Sequence, residues 1–223
     1  MKKTIILCAL CLCAMLTYAQ SIRQAAEQGD PQAQYKLGAS YYLGDGVEKD
    51  LNKAFEWFRK AAQQGVPDAQ FALGSCYENG YGVAKDLNKA FEWYRKGAQQ
   101  GDPDAQLALG VFYYFGVVGT KDHNKAKEWF QKAAEQGLPQ AQYYLGVNYF
   151  KGEGVSKDQN KAAEWFRKAA EQGNPKAQYN LGICYYNGYG VTKDQNKAKE
   201  WFRKAAEKGN KDAIFALSLL NDN

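Results

Sequence analysis

Tryptophan recurs in this chain at one fixed interval, and this feature constrains the fold more than any other. Each copy stands 36 residues after the one before: Trp57, Trp93, Trp129, Trp165 and Trp201. A glycine and a proline keep the same interval from Gly29 and Pro31 onward. A constant period of this length indicates a repeat array, in which each unit packs on its neighbours. We predict five full repeats: residues 30–65, 66–101, 102–137, 138–173 and 174–209.

The residues on either side of the array carry half of the repeat pattern. In residues 20–29, the segment from Ile22 to Gln28 matches the second half of a repeat, and in residues 210–223 the segment from Asp212 to Leu219 matches the first half. We predict that the first segment is an N-terminal half-repeat cap and the second a C-terminal capping helix.

Each repeat has the sequence pattern of two helices. In the second repeat, Pro67 suits the first turn of a helix, Leu73 lies on its apolar stripe, and Gly80 suits its end. Asp86 can cap the N–H groups of the helix that follows. Gly74 falls in the middle of the first helix, where glycine costs roughly 1 kcal/mol relative to alanine. Because this glycine recurs in all five repeats, we expect close approach of the paired helix.

The third repeat departs from this pattern in the loop between its helices. Its neighbours have two glycines separated by one residue, whereas here Gly116 is followed by Val117, Val118 and only then Gly119. Valine is strained at positive φ, so we expect this loop to take a different shape. Either sequence drift or a local function could explain the change.

The repeat pattern also points to a known family. In the second repeat, the residues that carry it are 69–74, Tyr77, 80–83, Asp86, Lys89, Ala90, Trp93, Tyr94 and Lys96. This pattern resembles the Sel-one-like repeat, a relative of the tetratricopeptide repeats, over almost the whole chain after residue 20. The resemblance implies an all-α fold: a right-handed α/α superhelix, or solenoid, of antiparallel helix pairs. It also implies an adaptor or scaffold that binds proteins, often in bacterial envelopes or secretion systems.

The first nineteen residues have the features of a secretory signal peptide. Lys2 and Lys3 precede an apolar run over residues 5–16, and Thr17-Tyr18-Ala19 forms a cleavage site of small-residue type. We predict cleavage after Ala19 and export to the periplasm or beyond the cell. The apolar run is too short to span about 30 Å of hydrocarbon, so we predict no membrane span.

Removal of that peptide would leave two cysteines. Cys76 and Cys184 are 108 residues apart, which is three repeat periods. Helices in a stack lie roughly 8–10 Å from their neighbours, so these positions exceed the disulfide limit of about 7 Å between Cα atoms. We predict two unpaired thiols.

The sequence contains few residues suited to catalysis, metal binding or nucleic-acid binding. The single histidine, His123, lacks a ligand-type partner pattern and is predicted to lie at the surface. No phosphate-loop, zinc-protease or nucleophile-elbow motif occurs, and no serine has lysine three residues later. The five tryptophans are predicted to be core residues. The formal charge of +5 is small and evenly spread. We therefore predict a non-enzyme with no cofactor, no metal and no nucleic-acid partner.

A partner is expected to bind where the repeats differ from one another. Positions 32, 36, 40 and 43 and their equivalents diverge, and we predict that they form one stripe along the concave groove. The members of this divergent stripe are Lys36, Ser40, Leu43, Cys76, Asn79, Phe112, Phe115, Tyr144, Asn148, Lys151, Asn180, Cys184 and Asn187. An apolar centre with a polar end is typical of peptide grooves. Alternatively, Phe112 and Phe115 simply fill local core.

Three functions are compatible with these features. The first is an exported, non-catalytic scaffold that binds a protein or peptide. The second is a binder of peptidoglycan or another envelope glycan, which the tyrosine and asparagine content allows. The third, a hydrolase of β-lactamase type, lacks the serine motif and is the least favoured.

Overall fold

The structure, a computed structural model, describes residues 20–221 of the chain. The predicted signal peptide, residues 1–19, lies outside the described residues. Every regular element of the described part is an α-helix, beginning with α1 at residues 20–27. The helices that follow are α2 (Pro31–Leu43), α3 (Leu51–Gln63), α4 (Pro67–Asn79), α5 (Leu87–Gln99), α6 (Pro103–Phe115), α7 (His123–Glu135), α8 (Pro139–Lys151), α9 (Gln159–Glu171), α10 (Pro175–Asn187), α11 (Gln195–Glu207) and α12 (Lys211–Asn221). The predicted all-α fold class of helix pairs in tandem is confirmed.

The chain divides into two compact units, the first ending at Ala105 and the second beginning at Gln106. The boundary falls inside α6. In the first unit, α2 packs on α3, α3 on α4 and α4 on α5. In the second, α7 packs on α8 and each later helix packs on its neighbour through α12. None of the helices over residues 20–221 combines the length and apolar character needed to cross a bilayer.

Local sequence signals define where each helix begins and ends. Proline occupies the first turn of α4, and Gly80 ends that helix in the left-handed conformation with φ of 77°. The second helix of the same repeat begins after Asp86, whose carboxylate accepts the backbone N–H of Lys89 at 3.0 Å. This cap recurs in the other repeats, as predicted. Its hydrogen bonds lower the pKa of Asp86 below its ordinary value.

The two helices of a repeat are antiparallel, because their ends meet at both sides. In the first repeat, the N–H of Asp50 donates to the carbonyl of Tyr41, which joins the end of α2 to the start of α3. Gln64, after the end of α3, donates to the side chain of Gln34 near the start of α2 at 2.8 Å.

The mid-helix glycine admits an aromatic ring from the paired helix. A Cβ placed at Gly74 would stand 2.6 Å from Tyr94 ring atoms, and one at Gly146 would stand 2.6 Å from the ring of Phe166. Contacts this short do not occur between real atoms, so the position requires glycine. The expected close approach is confirmed, although the group that approaches is a ring rather than the second backbone.

A glutamine in each first helix links neighbouring helix pairs. Gln70 is buried, with its amide N–H donating to the carbonyl of Ala62 in the preceding repeat and its oxygen accepting from Gln100 at 2.7 Å. Gln142 does the same with Ala134 and Gln172. A buried amide with both ends bonded holds successive helices in register. The sequence analysis did not identify this role.

The loop of the third repeat takes a different shape, as expected. Among residues 20–221, only glycines have positive φ. Gly116 has φ of 67° and Gly119 has φ of 85°, so the second left-handed residue arrives one position later than in the other repeats. Val118 therefore escapes the strained conformation.

Candidate interaction surface

The divergent stripe stays a prediction as a binding surface, but its members differ in exposure. Six of them are exposed: Lys36, Leu43, Asn79, Phe115, Lys151 and Asn187. Ser40, Tyr144 and Asn180 are half-buried. The remaining four are at most 2% exposed: Cys76, Phe112, Asn148 and Cys184. These four belong to the core, so their assignment to the groove is corrected.

Helix geometry explains this correction. A step of four residues turns about 40° past a full turn, so two such steps rotate a side chain by about 80°. Position 40 and its equivalents are consequently turned from the face of position 32 toward the core. A step of four followed by a step of three instead brings a side chain back to the face of position 32. Positions 32, 36, 39 and 43 therefore share one face of the first helix. The position-39 residues, which the sequence analysis missed, are half-buried: Ala39, Ser75, Val111, Val147 and Ile183.

Both buried thiols are core groups. Burial raises the pKa of Cys76 and that of Cys184 to about 12. Because the thiolate is the reactive form, neither sulfur is activated near neutral pH.

Two exposed apolar side chains lie in the second unit at the junction of α6 with its unusual loop. Phe115 is 53% exposed and Val117 is 36% exposed. The ring of Phe115 meets that of Tyr114 edge to face, with centroids 4.9 Å apart. Behind Tyr114, the ring of Tyr144 stacks on Phe130 with centroids 4.8 Å apart. The exposed ring therefore rests on an aromatic layer formed by Tyr114, Tyr144 and Phe130.

A charged pair fixes the orientation of Tyr114. Its hydroxyl donates to Glu153 Oε2 at 2.5 Å and accepts from Lys151 Nζ at 3.2 Å. Lys151 and Glu153 also form an ion pair at 3.7 Å. Burial and, after it, the hydrogen bond to Glu153 raise the pKa of Tyr114 well above its ordinary value. The phenol therefore remains a neutral donor at neutral pH. We call Tyr114, Phe115, Tyr144, Lys151 and Glu153 the Tyr114 cluster.

His123 lies beside this cluster rather than at the open surface. Its ring is half-buried and meets the ring of Tyr114 with centroids 5.0 Å apart. Its Nδ1 atom is buried and contacts no hydrogen-bond partner among the described residues. The prediction of a surface histidine is therefore corrected, because the ring of Tyr114 packs on His123.

The tryptophans are half-buried, and Trp57, Trp93, Trp165 and Trp201 pack against the buried core from its edge. The lysine three residues later covers the open face of each ring. Lys96 Nζ stands 3.8 Å from the centroid of Trp93, and Lys132 Nζ stands 4.2 Å from that of Trp129. This cation–π contact recurs in all five repeats.

Nothing in residues 20–221 gathers three or more side chains of metal-ligand type. Two shallow, polar depressions lie in the second unit, one near Asp158 and one near Asp194. Neither contains a nucleophile paired with a base.

The chain was compared with known protein families and structures. A family model described as "Sel1 repeat" matches five consecutive segments, each beginning one residue after the repeat boundaries used above: residues 31–66, 67–102, 103–138, 139–174 and 175–210.

Two solved structures resemble the chain over most of its length. A Sel1 repeat protein from Oxalobacter formigenes is 36% identical with a TM-score of 0.84, over 95% of this chain and 86% of that one. A protective antigen of uropathogenic Escherichia coli that displays an SLR fold is 40% identical with a TM-score of 0.82, over 89% of this chain. The match spans 43% of the antigen's length.

A shorter match joins the chain to a protein whose name states its partner. The secretory immunoglobulin A-binding protein EsiB of Escherichia coli is 42% identical over 40 residues. These residues are 18% of this chain and 8% of EsiB.

Proposed function

Because the chain belongs to the Sel1 repeat family, we propose that it is an exported scaffold that binds a protein or peptide through the exposed face of its first helices. Sel1 repeats generally serve as non-catalytic scaffolds for protein–protein interaction. Export rests on the predicted signal peptide. The name of EsiB supports a protein partner for one relative.

The observation that carries this proposal is the exposed ring of Phe115. Leu43, its equivalent in the first repeat, is 70% exposed but aliphatic, so it cannot make the edge-to-face ring contact that Phe115 makes with Tyr114. Residues that contribute most to binding are large, rigid and surrounded by groups that exclude water. Phe115 is large and rests on the ring of Tyr114, and the exposed Val117 follows two residues later.

The charged members of the Tyr114 cluster indicate the chemistry of the partner. Lys151 remains 53% exposed at its side chain, so its ammonium group can donate a further hydrogen bond. A peptide that places an apolar side chain on Phe115 could direct a carbonyl or carboxylate oxygen to Lys151. Apolar anchoring next to a polar contact is the usual arrangement of peptide-binding grooves.

The proposal is tested by affinity capture from envelope extract with wild-type protein and two variants. Phe115→Asp places a charge on the proposed anchor, and Leu43→Asp places the same charge at the equivalent exposed position of the first repeat. Phe112 is left unchanged because it is buried and its replacement would disturb folding. We expect wild type and Leu43→Asp to retain a specific protein that Phe115→Asp loses at least tenfold, with helical content unchanged by circular dichroism.

Two results would change this conclusion. Equal retention by both variants would place the binding surface elsewhere. Retention of muropeptides, with no protein retained, would replace the scaffold by the glycan-binding function. Mass spectrometry of the chain recovered from the envelope tests export, since processing after Ala19 predicts Gln20 as the first residue.

A further inference from the structure

Helix α12 exposes a face that the equivalent helices bury. Ile214 is 52% exposed and Phe215 is 65% exposed. One period earlier, Tyr179 and Gly182 of α10 pack on the ring of Phe202 in α11. The Tyr179 and Phe202 centroids are 5.7 Å apart, and a Cβ at Gly182 would stand 2.5 Å from that ring. The exposed face of α12 is thus the face that a second helix covers in a full repeat.

Such a face is unusual for a helix that only caps an array. Capping repeats present a polar outer surface to water. On α12, Ser218 takes the position of the mid-helix glycine, and its hydroxyl donates to the carbonyl of Phe215 at 2.8 Å. The polar group is therefore satisfied within the helix, and this face remains suited to apolar contact.

Helix α1 corresponds to the second helix of a repeat, both by its position in the sequence and by its packing. One period separates Ile22 from Phe58, the ring that packs on Gly38 in the first repeat. Ala26 is buried, and its carbonyl accepts from Gln34 at 3.2 Å, as Ala62 accepts from Gln70. Helix α1 thus contacts α2 as other second helices contact the following repeat.

The residues of α1 and α12 that would meet are complementary in size. Full repeats pair a glycine with an aromatic ring. Between α12 and α1, Ser218, which is larger than glycine, would meet Ile22, which is smaller than an aromatic residue. In the second repeat, a Cβ at Gly97 would lie 3.6 Å from Cβ of Gln70. Ala25 of α1 is equivalent to Gly97, and Ile214 of α12 is equivalent to Gln70. Both side chains are apolar. Ile22 and Ala25 are half-buried, so part of each side chain remains available.

We propose that α12 of one copy pairs with α1 of a second copy and completes a further two-helix repeat between them. The contact joins two different surfaces, so it can add copies in succession rather than stop at a symmetric dimer. One helix pair buries less surface than the roughly 1,200–2,000 Å² of stable complexes. Association is therefore expected to be weak and to rise with protein concentration. This inference is independent of the proposed function, since it uses no residue of the Tyr114 cluster.

Sedimentation velocity over a concentration series tests the pairing with two complementary variants. Phe215→Asp places a charge on the contact face of α12 in every copy, and Ile22→Asp places one on the contact face of α1. Each variant alone is therefore expected to be monomeric. An equimolar mixture contains one intact surface of each kind and is expected to form a 1:1 dimer and nothing larger. Wild type is expected to form longer species as its concentration rises.

Phe115→Asp is the matched control, because it places the same charge on an exposed ring outside the proposed contact, and it should associate like wild type. Circular dichroism establishes that each variant is folded. A monomeric wild type at the highest concentration reached, or a mixture that stays monomeric, would overturn the proposal. So would association of either variant alone.

A cross-linking experiment detects the contact even when it is short-lived. A copy with Ile22→Cys and a copy with Ser218→Cys, mixed with oxidised glutathione, are expected to form an interchain disulfide. Lys211→Cys in place of Ser218→Cys is the control and should give at least tenfold less product. Equal yields from the two positions would contradict the proposed register.

Discussion

The second repeat and the fourth share one backbone plan, and two of the positions at which their sequences differ show what that plan leaves open. In both, a fully buried leucine, Leu73 or Leu145, packs beside the mid-helix glycine. The second repeat buries Cys76 where the fourth buries Asn148, and the loop residue Tyr81 is replaced by Glu153. Neither the side-chain oxygen nor the nitrogen of Asn148 contacts a hydrogen-bond partner among residues 20–221. The repeat backbone therefore accommodates different chemistry at equivalent sites.

This difference separates two kinds of position. The leucine and the glycine contribute to helix pairing itself, so every repeat needs them. The loop residue contacts the first helix of the preceding repeat: Tyr81 meets Tyr42 with ring centroids 5.7 Å apart, and Glu153 accepts from Tyr114. A change there alters the surface without altering the fold. The Tyr114 cluster exists because of such a change.

The largest expected effect tests whether the buried cores of the second and fourth repeats are equivalent. Leu73→Ala and Leu145→Ala should each lower the free energy of unfolding by about 2–5 kcal/mol, because each removes a fully buried side chain and leaves a cavity. Denaturant unfolding followed by circular dichroism measures both. A large loss in one repeat with almost none in the other would show that their cores are not equivalent.

A reciprocal exchange sharpens the comparison at the buried polar position. Asn148→Cys should raise the free energy of unfolding by about 1–3 kcal/mol, because an unsatisfied buried amide is costly. Cys76→Asn should lower it by a similar amount for the same reason. The same unfolding experiment applies, with each variant as the control for the other. Destabilisation by Asn148→Cys would show that the amide has a stabilising role in the fourth repeat.

The smallest expected effect concerns the two loop contacts. Tyr114→Phe should lower the free energy of unfolding by about 1.5 kcal/mol, because it removes a hydrogen bond to a charged carboxylate. Tyr42→Phe is the matched control, since the Tyr42 ring meets the ring of Tyr81 rather than a carboxylate, and it should cost at most about 0.5 kcal/mol. Equal losses in thermal or denaturant unfolding would mean that Glu153 adds nothing beyond a neutral partner.

Several features of the fold could be predicted from the sequence because they depend on local chemistry repeated five times. Pro67, Gly80 and Asp86 act within one or two turns of the backbone, so their effect does not depend on distant residues. The recurrence of Gly74 at one interval indicated a close contact before its partner ring was known. The shift from Gly-x-Gly to Gly116–Gly119 similarly predicted an altered loop.

The candidate surface could be predicted only in part. Periodicity placed Phe115 and Lys151 on the exposed side, but it assigned Cys76 and Asn148 to the same side, although they are buried. Over a single helical turn, residues spaced by three and residues spaced by four both lie near the same face. After two steps of four, the side-chain direction has rotated far enough around the helix axis to reach the core. The buried glutamines, such as Gln70, were missed because their partners lie in different helices.

The sequence by itself determined the repeat length, the family and the ends of the helices, since each follows from backbone preferences that a few adjacent residues express. Only the tertiary structure decided which residues meet across repeats: Tyr114 with Glu153, Gln70 with Gln100, and the ring of Tyr94 with Gly74. It also showed that α12 leaves Ile214 and Phe215 exposed. The physical reason is that burial depends on which helix covers a given face, and that relation joins residues far apart in the chain.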